Sequence, residues 1–358
     1  MQTKVSLKSS YLVLTLQEHF GGKMNLSRIK FISCFIQALC KVQTVTFEKL
    51  ANAFDTPVKA ESSLRRIQRF ISSYDLNLDF IALLIFKLIP NNEKVSLTID
   101  RTNWKFGVLN INIFMLGIVN DGVAFPLMFS MLAKQGNSNS QERIDLIDRF
   151  INLFGVECID SLMADREFIG RDWLDYLNRN RIRYYIRIRN NFKVYMPHKN
   201  KEIKAWHLFN QLNHNQFIHY NKIVQVNGVY CYLSGCKIKN DYLIIVSFNK
   251  PEDALENYSN RWQIEMCFKA LKSSGFDLEN THLTDIDRIQ KLVGLVMIAF
   301  IWCYKVGIYL NHIKPIKIKT HGRKAKSIFK YGLNHVAQVL LNAENKNDIN
   351  IFGFLSCT

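Results

Sequence analysis

Four polar side chains stand at helical intervals in one stretch of the chain: Tyr258, Arg261, Glu265 and Lys272. At about 100° per residue they share an arc of roughly 60°. Their neighbours Leu255, Trp262, Ile264, Met266, Phe268 and Leu271 are apolar, so much of such a helix is expected to be buried. A carboxylate on a buried helix costs stability unless a cation or a metal compensates it. Arg261 and Lys272 are donors suited to phosphate, and Glu265 suits a hard divalent ion. The stripe therefore reads as a place for a metal beside a phosphate. An ordinary salt-bridge ladder accounts for the same spacing, because Arg261 and Glu265 are an i, i+4 pair worth about a few tenths of a kcal/mol.

Two further acids separate these readings. Residues 95–100 alternate apolar and small polar side chains and predict a strand whose last residue is the carboxylate Asp100. Strands are predicted at 110–119 and 123–131, with Asn120, Asp121 and Gly122 as the hairpin turn between them. A helix is predicted over 140–154, capped by Ser138, Asn139 or Ser140. A short apolar run then ends on Asp165. The order is three strands, a helix, a strand, and much later another helix, with an acid at each of three element ends. That is the order of a ribonuclease-H-like core. Three hard oxygen donors so placed are what two-metal phosphoryl chemistry requires.

On these residues the chain resembles the insertion-sequence-4 type of bacterial DDE transposases. All four positions of that family's Tyr-Arg-Glu-Lys signature match Tyr258, Arg261, Glu265 and Lys272 in spacing. Thr98, Ile99 and Asp100 look like the first-acid motif, and Ala164, Asp165, Arg166, Glu167 and Phe168 are similar to the second. The resemblance spans about residues 90–290. It implies a transposase that binds terminal inverted repeats and cuts and rejoins DNA with two Mg²⁺ or Mn²⁺ ions. Asp100, Asp165 and Glu265 would be the catalytic acids and metal ligands. Tyr258, Arg261 and Lys272 would contact phosphates at the transposon end, with Trp262 packed beside them. The partners implied are double-stranded DNA, both transposon ends and target, and a second copy of the chain in a homodimer.

The resemblance also implies a β-rich insertion between the second and third acids, which lie 100 residues apart. The residues there read as strands, with Asn227 and Gly228 a strong hairpin turn. Within them Arg181, Arg183, Tyr185, Arg187 and Arg189 alternate with Ile182, Tyr184, Ile186 and Ile188. With a period of two, one face is guanidinium and the other is core. Arg183, Arg187 and Arg189 are therefore candidate contacts to a nucleic-acid backbone. Trp206, Tyr230 and Tyr232 are candidates to stack on an unpaired base, and each also fits as an ordinary core or surface aromatic.

Composition points the same way. Lysine and arginine number 47 against 30 acids, a formal charge of +17 over 358 residues, which is the balance of a polyanion binder. Residues 1–90 read as helices, and a short amphipathic helix followed by one bearing Arg65, Arg66 and Arg69 is a candidate helix-turn-helix for DNA. The eight cysteines form no Cys-x2-Cys pair, and the absence of a leader points to a reduced, cytoplasmic, nucleoid-associated protein. The most apolar run, 292–304, is too short to span a membrane and is expected to be a core helix packed on the catalytic sheet. No glycine-rich phosphate loop argues for nucleotide use.

The fold class expected is α/β: a ribonuclease-H-like core interrupted by a β-rich insertion and preceded by a helical DNA-binding domain. The layout is a helical domain at 1–90, the first part of the core at 91–170, the insertion at 171–250, the rest of the core at 251–310, and a basic segment at 311–358. The alternative reading is a catalytically inactive DNA-binding regulator of transposon ends. A third is a stand-alone structure-specific nuclease.

Overall fold

The computed structural model describes residues 4–90, 93–106, 109–120, 122–239, 241–249, 251–320, 322–342 and 349–356. Of the hairpin turn expected at 120–122, Asp121 lies outside the described residues. The chain divides into two compact units, one of Met1–Pro90, Trp104–Leu109 and Cys267–Thr358, the other of Asn91–Asn103 and Asn110–Met266.

The first unit begins with helices α1 (Lys4–Phe20), α2 (Leu26–Val42), α3 (Phe47–Asn52), α4 (Ala60–Ser73) and α5 (Leu78–Leu88). Asn25 starts α2 by accepting the amide of Arg28, and Asn77 starts α5 by accepting that of Asp79, each satisfying an otherwise orphaned donor. Helix α4 is strongly two-faced. Ile67, Phe70 and Ile71 point inward, with Phe70 stacked 4.2 Å from Phe31, while Arg65, Arg66 and Arg69 are exposed.

The second unit is built on a mixed sheet. Its elements, apart from residues 104–106 of β1 and Leu109 of β2, which count with the first unit, are β1 (Val95–Phe106), β2 (Leu109–Asn120), β3 (Val123–Met131), α6 (Ser140–Phe154), β4 (Ile159–Ala164), α7 (Arg171–Arg179), β5 (Tyr184–Ile188), β6 (Lys193–Met196), β7 (Lys201–Lys204), β8 (Phe217–His219), β9 (Val224–Val226), β10 (Val229–Ile238) and β11 (Asp241–Ser247). Helices α8 (Ala254–Ser259) and α9 (Gln263–Leu271) follow. The hydrogen-bonded path is β3-β2-β1-β4-β5-β11-β10-β9-β6-β7, with β8 on β10. Pairing is parallel from β1 to β4 and from β4 to β5, and antiparallel where β5 meets β11. Parallel neighbours need a crossover, and α6 and α7 provide the two. Asn139 and Glu142 close a capping box on α6, so its start is set by local chemistry.

Three expectations change. First, β1 does not stop at Asp100. It runs on to Phe106, because Thr102, Trp104 and Phe106 all favour extended backbone. Second, the insertion boundary expected at residue 171 falls ahead of β5, which pairs in parallel with β4 and so continues the central sheet. Third, the apolar run at 292–304 is the middle of a longer helix, α10 (Ile286–Ile313), whose packing partners are α2, α4, α5 and α11 (Ile328–Leu341) in the helical unit, where a place on the sheet had been expected. By length and composition α10 would suffice to cross a membrane, but 83% of its most apolar window is buried inside the protein. It crosses α11 at glycine. A Cβ on Gly332 would lie 1.8 Å from the carbonyl oxygen of Cys303, and one on Gly307 would lie 2.1 Å from that of Ile328.

Candidate active site

The site is set by strand register. Ile99 of β1 pairs with Ala164 of β4, and Ala164 pairs with Ile186 of β5. The next residue on each strand is Asp100, Asp165 and Arg187, so two acids and an arginine follow the last paired row of three adjacent parallel strands. Neighbouring strands are about 5 Å apart, which puts the two carboxylates side by side. Each is braced by the amide that follows it: Arg101 N–H donates to Asp100 Oδ1 and Arg166 N–H to Asp165 Oδ1, both at 2.7 Å.

The segment after β11 brings the remaining groups. Helix α8 packs on β4, β5 and β11 through Ala254 and Tyr258, which join Met163, Tyr185 and Ile245 in a buried cluster. The helix expected as one piece is broken by a tight 3-10 turn at Asn260–Trp262 before α9 begins. In that geometry residues three apart eclipse, so Tyr258 and Arg261 still share a face. The phenol of Tyr258 donates to Asp165 Oδ1 at 3.3 Å. Arg261 forks, with Nη1 3.4 Å from Asp100 Oδ2 and Nη2 2.9 Å from Glu265 Oε1. Its side chain is only 8% exposed, against 17% for Asp100 and 35% for Glu265. The i, i+4 ladder weighed from the sequence is thus present, and it reaches the first acid as well.

Electrostatics define what the site lacks. Burial pushes the Asp100 carboxyl up to about 6, and Glu167 and Asp165 add to the rise, so Arg261 and the Arg101 amide do not fully compensate it. Burial, with the charge of Asp165, pushes the Tyr258 phenol up to about 12, which keeps it a donor. Burial opposes the charge on Arg261, but Tyr258, Asp165, Glu265 and Asp100 outweigh it, and the guanidinium is held above its ordinary value. Among the described residues no three acid, histidine or cysteine side chains converge as a ready cage for a metal ion. The reason is local: the Arg261 guanidinium lies between Asp100 and Glu265. Asp100 and Asp165 are nonetheless adjacent hard oxygen donors, and Arg261 only partly offsets the cost of charging Asp100, which fits a hard divalent cation. Glu265 is one guanidinium away.

Other candidate residues are placed as follows. Trp262 is 59% exposed, with its ring centroid 5.8 Å from the Arg261 guanidinium carbon. Lys272 follows the end of α9 and falls in the helical unit, where its ammonium is 2.8 Å from Glu279 and 5.1 Å from the Trp104 ring. Arg183 pairs with Asp160 at 3.4 Å and Arg187 with Asp241 at 3.6 Å, while Arg189 is exposed. Arg187 also acts on Tyr258, lowering the phenol's proton affinity. Of the aromatics, Tyr230 is 60% exposed, whereas Trp206 stacks on His207 with centroids 3.8 Å apart.

The sequence reading missed a second layer. Arg101 grips Glu167 through Nε at 2.9 Å and Nη2 at 3.1 Å, and reaches Asn112 and Asn137 as well. This fork ties the residue after Asp100 to the loop after Asp165. Buried Arg143 holds the same loop from α6, donating to the carbonyls of Glu167 and Ile169 and stacking 5.3 Å over Phe168. The available signal was an arginine directly after one acid and a glutamate two residues after the other.

Comparison with known proteins gives one family. The profile described as "Transposase DDE domain" matches residues 118–302, more than half of the chain. The match takes in Asp165 and the whole of 258–272 and begins after Asp100. None of the curated proteins matches. Among solved structures, the chain is similar to a piggyBac transposase in its synaptic complex with hairpin DNA. Identity is 13% and the TM-score 0.42, over 93% of this chain and 70% of that one. A likeness of that size decides nothing about mechanism.

Proposed function

Because this chain belongs to the transposase DDE-domain family, we propose that it is an active transposase of the insertion-sequence-4 type, with Asp100, Asp165 and Glu265 as its catalytic acids. The observation that carries this reading is the placement of two acids directly after the last paired row of β1 and β4, beside a face that brings Tyr258, Arg261 and Glu265. The strand order β3-β2-β1-β4-β5, parallel at its centre, supports a ribonuclease-H-like core. The substrate is double-stranded DNA at the transposon's terminal repeats and then at the target, and the working form is a homodimer.

In this reading Asp100 and Asp165 would hold Mg²⁺ or Mn²⁺, with Glu265 as the third oxygen donor. Such ions, when bound, activate water or a 3′-hydroxyl and neutralise charge building on the scissile phosphate. The protein's own residues do the rest. Arg261 serves as the internal cation of the resting site and transfers its fork to a DNA phosphate, where planar bidentate donors bind best. Tyr258 keeps its proton and orients Asp165. The Arg101–Glu167 fork fixes the spacing of the two strand acids. On the helical unit, Arg65, Arg66 and Arg69 of α4 present an exposed row for the end sequence.

The test is cleavage of a plasmid carrying verified terminal repeats, in Mg²⁺ and in Mn²⁺, followed on gels together with end binding. Wild type is expected to nick and excise, and Asp100→Asn and Asp165→Asn to bind but not cut. A wild-type protein that binds the ends and never cuts them is the inactive regulator instead. Cutting that ignores a scrambled end marks the structure-specific nuclease.

A further inference from the structure

The arginine row that stood out in the sequence is partly spent on acids: Arg183 on Asp160 and Arg187 on Asp241. A second group of exposed positive charges in the sheet unit lies away from that row. Strands β6 and β7 form a hairpin at the end of the sheet path, and a concavity of about 650 Å³ opens on it, lined by Lys193, Lys199, Lys201, Lys204 and His207 among others. All five of these side chains are exposed. Glu202 is the one acid lining the concavity, and it is taken by Lys193 at 2.9 Å.

Two features argue that this is more than a soluble edge. Lysine on an edge strand discourages pairing with other chains, and Lys201 and Lys204 would suffice for that. But Lys193 and Lys204 are also cross-strand partners with one carboxylate, Glu202, set against the pair, so the hairpin carries more positive charge than edge protection needs and an anion would offset it. The turn adds more charge. Lys222 and Lys199 both stand near His198, lowering its proton affinity together with the larger effect of local desolvation. Ammonium groups on flexible stems act as point charges that tolerate any backbone geometry. They suit a polyphosphate track without regard to base sequence.

We propose that the β6–β7 hairpin is a docking surface for the phosphate backbone of duplex DNA, sequence-independent, with Lys199, Lys201 and Lys204 as its main contacts. The inference rests on the reading of this chain as a transposase that acts on DNA. It assigns the hairpin a different task from the acids, which is to raise encounter and hold duplex of any sequence.

The experiment is fluorescence anisotropy of the full chain with a labelled duplex of arbitrary sequence, without divalent metal, over a series of NaCl concentrations. The triple variant Lys199→Gln, Lys201→Gln, Lys204→Gln is compared with wild type and with an equal-charge control, Lys30→Gln, Lys94→Gln, Lys239→Gln. Each neutralised phosphate contact contributes about 0.9 to the slope of log K against log salt, so the hairpin variant should lose roughly 2 to 3 from its slope. At low salt it should bind at least about tenfold more weakly, and the control should stay near wild type. Unchanged thermal midpoint and circular dichroism show that the variant is folded. A slope equal to wild type overturns the proposal, as does a control that loses as much as the hairpin variant. If wild type itself binds no duplex, the transposase reading falls with it. If wild type binds and the variant binds equally, only the hairpin assignment falls.

Discussion

The acids on β1 and β4 and the lysines on β6 and β7 belong to the same sheet but handle charge in opposite ways. Around Asp100 the charges are buried, and each leans on another: Arg261 on two acids, Tyr258 on a third. On the hairpin the charges are solvated, alike and mostly unmatched. Burial makes one charge worth a great deal and makes its loss specific, since no water replaces a lost partner. Exposure makes each charge worth little, and the sum is additive and screened by salt. A reaction centre needs the first arrangement and a mobile polyanion is better held by the second.

The largest effect should break the comparison on the side of the acids. Asp165→Asn is expected to reduce metal-dependent end cleavage to the level without protein, while duplex binding persists, as read on gels beside anisotropy. Next comes Arg261→Gln. It leaves Asp100 buried without its cation, and breaking a buried pair costs about 3 kcal/mol, measured by denaturant unfolding. Arg261→Lys should recover only part of this, because a single ammonium cannot fork to Asp100 and Glu265 together. A full recovery would mean that charge alone matters there.

A third effect is set by pH. The Asp100 carboxyl is raised from 3.8 to about 6, so the folded state holds its proton more tightly than the unfolded chain. Stability is therefore lost as pH rises through that window, by up to about 3 kcal/mol at neutral pH. Asp100→Asn should be more stable than wild type at pH 7, and the advantage should fade towards pH 4. An advantage independent of pH would refute the assignment to this carboxyl. The smallest effect on stability belongs to the hairpin. Neutralising Lys199, Lys201 and Lys204 should move unfolding by no more than about 0.5 kcal/mol while changing the salt dependence of DNA binding.

Elements with local instructions could be read directly. Strand β3 falls on the apolar run after the expected turn and helix α6 where helical periodicity puts it, and the start of α6 follows from Asn139 and Glu142. Elements defined by neighbours could not. Thr102, Trp104 and Phe106 let β1 pass Asp100, but nothing local says that β5 joins β4 in the central sheet. The 3-10 turn at Asn260–Trp262 leaves no mark in the pattern, because 3.0 and 3.6 residues per turn both bring Tyr258 and Arg261 to one face. The arginine row on β5 was visible as a pattern, but its neutralising partners Asp160 and Asp241 come from β4 and β11.

By itself the sequence determined the chemical inventory and its order: three acids, a Tyr-Arg-Glu-Lys spacing and a large positive excess. Those follow from residue identity and short-range periodicity, which need no fold to be seen. Only the tertiary structure decided which charges are spent and which are available. Arg261 is bound between acids at residues 100 and 265, and the lysines at 199, 201 and 204 are open to solvent. Compensation depends on distance and burial, and both are set by strand register between segments far apart along the chain.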